Sequence, residues 1–311
     1  LSGEQNVSMK EKLMALLRLA RPANIITAIA DIMAGFAISG SVISLFWPIS
    51  TIEIINPENL FWLIFSTIGL YGGGVVFNDV FDAELDAVER PERPIPQGIV
   101  TKKEAAIWGV FLLFTGVSAA FCVNVYSGII ASAIVCMALL YDAISKHHPF
   151  VGPLNMGMCR GANLLLGISA SPGFLETYFW YALIPIIYIA AITLISRGEV
   201  HGLNKKFLYT GLGLYSVVLA ALFFISDSYA GGVVALPIIF IFGFIIIKPL
   251  VEAIKANAAP QSIMKAVKTG VISIILLDAA WAGIHAPFPF AILILLLLPL
   301  SRYLAKAFAV T

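Results

Sequence analysis

The segment richest in chemistry runs Phe77-Asn-Asp-Val-Phe-Asp-Ala-Glu-Leu-Asp-Ala-Val-Glu-Arg-Pro-Glu-Arg-Pro-Ile-Pro-Gln-Gly98. Asn78, Asp82 and Asp86 recur every four residues, so a helix carrying them stacks all three on one face. Three oxygen donors at that spacing, with Asp79 beside them, suit a hard cation such as Mg²⁺, which prefers oxygen ligands and keeps positions for phosphate. The plain alternative is a solvated acidic helix end. Like charges four residues apart repel on an isolated helix, so something positive is expected to hold them.

The elements that must position this cluster are membrane helices. Hydrophobic residues make up 60% of the 311 and charged residues 12%, about half the usual share of a soluble domain, so the chain cannot cover a water-facing surface. A spanning helix needs about 20 mostly apolar residues. Such stretches lie near 23–46, 60–77, 105–124, 128–142, 153–171, 178–195, 207–225, 231–247, 269–285 and 288–301. Residues 1–17 read as a polar leader with an amphipathic start, and 18–311 as a single polytopic domain lying in the lipid bilayer. Eighteen of the nineteen Lys and Arg residues fall before the first stretch, after the even-numbered ones or at the end of the chain. By the bias of basic residues toward cytoplasmic loops, both termini and the acidic cluster face the cytoplasm if all ten stretches cross, as in an inner or cytoplasmic membrane. The near-zero net charge gives no reason to expect a nucleic-acid partner. Cys122, Cys136 and Cys159 lack metal-ligand spacing and read as buried small hydrophobes.

Asn78-x-x-x-Asp82-x-x-x-Asp86 followed by Arg90-Pro-x-Arg93-Pro-Ile-Pro-x-Gly98 resembles the first signature of the UbiA superfamily of membrane prenyltransferases. Arg21-Pro-x-Asn24 and the Tyr141 to Lys146 stretch match the same family. The resemblance implies an all-α membrane protein of nine to ten transmembrane helices, in two related four-helix bundles around a central cavity. It implies an enzyme that moves an isoprenoid chain from a prenyl diphosphate to a small polar or aromatic acceptor, with Mg²⁺ as cofactor. Asn78, Asp79, Asp82 and Asp86 would then hold metal, and Arg93, Lys146 and Arg197 would contact diphosphate. Arg21, Asn24 and Tyr141 would meet the substrates. Departure of the diphosphate develops negative charge that metal and cations stabilise, while a dry cavity shelters the allylic cation.

The second acidic motif of the family is altered here. The matching loop, Thr193-Leu-Ile-Ser-Arg-Gly-Glu-Val-His-Gly-Leu-Asn-Lys-Lys206, contains one carboxylate, Glu199, flanked by Arg197, His201 and Asn204. With Cys159-Arg160-Gly161, this loop resembles the EboC-like branch of the family. Glu199 and Arg197 are therefore expected to be individually critical, with His201 and Asn204 as polar contacts. The other outcome is a non-catalytic protein that binds or transports a prenyl lipid.

Asp31, Arg160, Asn163 and Asp278 lie inside apolar stretches, where ionisable groups pair or face a cavity. For Arg160 two readings stand: a buried ion pair with Asp31 as one possible partner, or a substrate anion contact. His147 and His148 carry no expected metal role. A CDP-alcohol phosphatidyltransferase and an intramembrane aspartyl protease fail on missing motifs. A transporter would need matched helix breaks in both halves, and Gly72-Gly73-Gly74 has no counterpart at 188–192.

Overall fold

The computed structural model describes residues 8–42, 57–197 and 205–308, and among these there is no strand. Helix starts follow local chemistry. Helix α1, Met9–Leu19, opens on a capping box in which Ser8 and Glu11 exchange hydrogen bonds. Helix α2, Pro22–Ile38, places Pro22 where a missing N–H costs nothing. Helix α3, Glu58–Phe81, is followed by the short α4, Ala83–Glu89. Helix α5, Lys102–Val123, has a Thr101/Glu104 capping box, and Asn124 caps α6, Val125–Ala143. Then come α7 Val151–Ile168, α8 Pro172–Tyr178, α9 Leu183–Ser196, α10 Lys205–Asp227 and α11 Gly232–Lys255. The chain ends with α12 Pro260–His285, α13 Phe288–Leu295 and α14 Leu297–Ala307.

Two four-helix sets form a ring. Helices α2, α3, α5 and α6 make the first, α7, α9, α10 and α11 the second, and α12 closes the ring onto α2. Where α2 and α7 cross, Cβ atoms would not fit: one built on Gly35 would lie 2.3 Å from the Leu164 carbonyl oxygen. At the α3–α5 crossing a Cβ on Gly69 would lie 2.5 Å from the Leu112 carbonyl oxygen. Membrane helices gain little from apolar burial against one another, so small residues that let backbones approach contribute much of the packing.

Among the described residues, eight helices are long and apolar enough to cross a membrane, and a ninth span results if the bent pair α1–α2 counts as one. The sequence gives ten. The difference is α7, which is too polar to pass on hydropathy because Asn155, Arg160 and Asn163 all lie on it. It packs against α2, α6 and α9, so these side chains face protein rather than lipid. Residues 43–56, at the end of the first expected span, lie outside the described residues. The thiols also depart from expectation: Cys122 and Cys136 are exposed on the outer surface of the bundle and Cys159 is partly buried. A surface of this apolarity accommodates a thiol as readily as a core does.

At one end of the ring, Ala15 and Leu19 of α1 pack with Val76 and Val80 of α3, Val100 and Ala105. A Lys12–Glu104 ion pair ties α1 to α5 there. This small second core fixes the frame of the acidic segment.

If backbone contact holds α3 to α5, Gly69→Leu should destabilise the protein by about 1–3 kcal/mol. Gly213→Ala, at a helical glycine with open space around it, should be neutral or slightly stabilising. Thermal unfolding in detergent checks both, and a Gly69→Leu protein as stable as the parent would show that the two helices can part without cost.

Candidate active site at the cavity mouth

The acidic segment does not form one unbroken helix. Helix α3 ends at Phe81, and Asp82 sits between α3 and α4 with φ −88° and ψ 3°. The hydrogen-bond ladder nevertheless runs through the break, from Asp82 N–H to the Asn78 carbonyl at 3.0 Å and from Asp86 N–H to that of Asp82 at 2.8 Å. The turn spacing of Asn78, Asp82 and Asp86 is thereby kept.

Each carboxylate is held by a cation. After α4 the chain folds back through the Arg90–Pro94 turn and buries Arg93, which is 8% exposed. One of its terminal nitrogens, Nη1, reaches Asp79 Oδ1 at 2.9 Å and Asp86 Oδ2 at 2.6 Å, clamping carboxylates two turns apart. Arg21 donates to Asp79 Oδ1 at 2.6 Å. It does so from a left-handed backbone conformation, φ 49° and ψ 67°, immediately before Pro22. A proline disfavours right-handed helical geometry at the residue before it, and the left-handed region is uncommon for any side chain other than glycine. Lys146 forms an ion pair with Asp82.

The connection between α6 and α7 carries Lys146, and other residues fix it. Arg197, at the end of α9, donates Nη2 to the carbonyl of His148 at 2.7 Å and to that of Lys146 at 3.3 Å. His148 Nδ1 accepts from the backbone of Phe150 and Val151 at the start of α7, so it serves as a helix cap. Asn155 donates to Ser145 Oγ at 3.2 Å. Asp142 accepts from Asn78 Nδ2 at 2.8 Å, which turns the amide of Asn78 and leaves its oxygen available.

These groups surround the mouth of a cavity of about 350 Å³. Arg21, Asn24, Asn78, Tyr141 and Asp142 line it near the mouth, Leu70, Ile134 and Ile189 line its apolar wall, and Thr67, Tyr71, Arg160 and Asn163 line its deep part. Of the residues expected from sequence, Arg21, Asn24, Asn78, Tyr141 and Arg160 line the cavity. Asp79, Asp82, Asp86, Arg93 and Lys146 form the charged layer next to it, and Arg197 braces that layer from α9. Glu199, His201 and Asn204 lie outside the described residues. Sequence reasoning passes over Asp142 as a site residue. The available signal is its place four residues before Lys146 and at the end of an otherwise apolar helix.

Among the described residues, no three Asp, Glu, His or Cys side chains converge closely enough to hold a metal ion. The ion pairs account for this, because Asp82 is drawn toward Lys146 while Asp79 and Asp86 are drawn toward Arg93. The donor set still fits Mg²⁺. Hydrogen bonds to described residues engage one oxygen each of Asp79, Asp82 and Asp86, leaving hard oxygen atoms of the type that ion prefers.

A ring of membrane helices with a carboxylate-rich mouth over an apolar-walled cavity is the architecture that these residues build. Residues 40–267 match the UbiA prenyltransferase family, and the chain belongs to that family. Two curated relatives are both named digeranylgeranylglyceryl phosphate synthase. The one from Methanothrix thermoacetophila is 34% identical over 168 residues, covering 53% of this chain and 58% of the relative. The one from Methanococcoides burtonii is 33% identical over 151 residues, covering 49% and 53%. The chain thus spans little more than half the length of these relatives. Among solved structures, one described as digeranylgeranylglyceryl phosphate synthase matches with a TM-score of 0.64 and 23% identity, covering 88% of this chain and 99% of that one. A UbiA homolog from Archaeoglobus fulgidus bound to GPP and Mg2+ matches with a TM-score of 0.64 and 14% identity, covering 94% and 99%. These two likenesses establish the fold.

Removing one partner of a buried pair leaves the other charge unpaired at a cost of about 3–5 kcal/mol. Arg93→Ala should lose stability on that scale, because it orphans Asp86 and leaves Asp79 with Arg21 alone. Arg93→Lys should recover only part of it, since a point charge lacks the planar fork. Thermal unfolding of both variants measures this, and an Arg93→Ala protein of parental stability would dismiss the clamp.

Proposed function

We propose that the protein transfers a prenyl group from an allylic prenyl diphosphate to a small acceptor inside the membrane, in a Mg²⁺-dependent reaction. The observation that supports this most is the juxtaposition of Asn78, Asp82 and Asp142 with Arg21 and Lys146 at the mouth of an apolar-walled cavity. In the reaction the C1–O bond to the diphosphate breaks and its electron pair leaves with the diphosphate. The acceptor forms the new bond to C1 and gives up a proton to solvent at the mouth.

Asn78, Asp79, Asp82 and Asp86 would hold the ion, with Glu199 of the 198–204 segment as a further ligand. Mg²⁺ supplies neutralisation of the diphosphate charge. Lys146 and Arg21 lie where they offset the charge of the departing group once it arrives. Asp142 orients the Asn78 amide. Arg197 acts on Lys146 through the backbone it holds, and Arg93 keeps Asp79 and Asp86 in place. The apolar wall excludes water from the allylic cation. We place the mouth at the cytoplasmic face, on the distribution of Lys and Arg.

The names of the archaeal relatives favour an acceptor akin to the glyceryl phosphate in their product over a quinone-type head. The Ser196-Arg197-x-Glu199-Val-His201-Gly segment supports the EboC-like branch instead, in which acceptor chemistry is open. One observation favours the non-catalytic reading, a prenyl-lipid binder or transporter: each carboxylate of the first motif is already neutralised by a cation.

Asp82→Ala removes an expected ligand and releases Lys146. Turnover of geranyl diphosphate with a panel of acceptors should fall by about 10²–10³-fold or more. A variant transferring at the parental rate would place the site elsewhere. Arg197→Lys should lower kcat by roughly tenfold, about one net hydrogen bond's worth, with the Mg²⁺ dependence unchanged. A shifted Mg²⁺ dependence would instead make Arg197 part of the metal site.

A further inference from the structure

Helix α12 begins polar and turns apolar along one face. Lys265, Lys268, Ile272 and Leu276 recur every three or four residues, so they stand one above another on the helix. The two lysines are exposed, Ile272 is half-buried and Leu276 is buried. Leu276 lies eight residues beyond Lys268, a rise of roughly 12 Å. The face therefore runs from charge to hydrocarbon over about the distance that separates a lipid phosphate from the upper part of its acyl chains.

Neighbouring helices leave this face open. Helix α11 packs along one side of α12, whereas α14 packs chiefly on α2 and meets α12 at few points. Between them lies a groove of about 360 Å³, with Ile245 of α11 on one wall, the α12 face as its floor, and Leu298 and Arg302 of α14 on the other wall. Ser301 Oγ donates to the Ala23 carbonyl at 3.0 Å, close in sequence to Arg21 at the cavity mouth. Arg302 and the lysines thus sit at the mouth end of the ring, on its outer side.

The charges in the groove are not spent on one another. Lys265 pairs with Glu252 at 2.9 Å. Lys268 and Arg302 form no ion pair among the described residues, and no carboxylate is among the described residues that line the groove. A bias of basic residues toward one membrane face needs no groove. Here, in addition, cations of two helices converge over an apolar floor that opens outward. Basic pockets between membrane helices take up anionic lipid head groups in this way.

We propose that an anionic phospholipid of the bilayer docks in this groove, its phosphate between Lys268 and Arg302 and an acyl chain along Ile272, Leu276 and Leu298. The site lies outside the central cavity, and its assignment does not depend on prenyl transfer. It adjoins that cavity through α12, because Val271 and Ile274 line the cavity from the other side of the same helix. The lipid fills the seam between α12 and α14.

Native mass spectrometry of the intact chain, equilibrated in detergent with dioleoyl phosphatidylglycerol or dioleoyl phosphatidylcholine at equal concentration, tests this. The parent should hold one phosphatidylglycerol about 10–30-fold more tightly than phosphatidylcholine, the scale of two basic side chains beside one anionic head group. Lys268→Gln with Arg302→Gln should abolish the preference. Ile272→Trp keeps the charges but fills the apolar floor, and should also lose the tightly held phosphatidylglycerol. Lys102→Gln with Lys103→Gln removes two exposed cations at the start of α5 and should leave binding as in the parent. Equal retention of the two lipids by the parent, or a preference that persists in either groove variant, overturns the proposal. So does a preference lost equally when Lys102 and Lys103 are replaced, or displacement of the phosphatidylglycerol by inorganic phosphate, which would make the groove a site for the phosphate group alone.

Discussion

An ionic charge at the edge of a helical membrane bundle is only partly served by water, so it is best cancelled by its neighbours. The mouth of the cavity is built around that constraint. Arg21 and Arg93 share Asp79, Arg93 carries on to Asp86, and Lys146 takes Asp82, so α3, α4, the start of α2 and the two connections that carry Arg93 and Lys146 are joined through ion pairs. The surrounding backbone is bent to suit: Arg21 accepts a left-handed conformation, the Arg90–Pro94 turn folds inward, and Arg197 pins the connection that carries Lys146. Buried pairs of this kind add little net stability but are costly to break, which makes them good at fixing geometry.

On the proposed reading the same constraint governs ligand binding. The cations neutralise the carboxylates. A divalent cation would compete for those carboxylates, and the diphosphate it brings would take up the displaced positive charge of Lys146 and Arg21. Such an exchange leaves the number of buried unpaired charges near zero throughout. The cavity beneath repeats the arrangement on a smaller scale, with Arg160 in contact with Asp31.

Much of this was legible in the sequence. The four-residue recurrence of Asn78, Asp82 and Asp86 placed the carboxylates, and four of the basic residues, Arg21, Arg93, Lys146 and Arg197, gather around them. For Arg160 the sequence leaves an ion pair with Asp31 and a substrate anion contact equally open, and in the structure its Nε lies 2.7 Å from Asp31 Oδ2. What could not be read was the choice of partners. Arg90 and Arg93 sit in the same Arg-Pro repeat, yet Arg93 turns in and Arg90 stays exposed, because only the fold-back of the 90–100 turn decides which side chain reaches Asp79. Asp142 escaped notice as a site residue because its partner Asn78 is 64 residues away. Helix α7 reads as an apolar run in the sequence but fails the stricter test of hydropathy, since a helix packed on α2, α6 and α9 need not resemble those that face lipid. The brace from Arg197 to two backbone carbonyls leaves no trace in residue types at all.

The central claim is that the carboxylates and cations at the mouth together form a diphosphate site. Calorimetric titration of the parent protein with geranyl diphosphate, with Mg²⁺ and then with EDTA, tests it most directly. The account predicts saturable binding at about one site per chain with Mg²⁺ and a loss of at least about tenfold in affinity without it, since metal and cations together offset the diphosphate charge. Equal affinity in Mg²⁺ and in EDTA, or no binding in either, would contradict it.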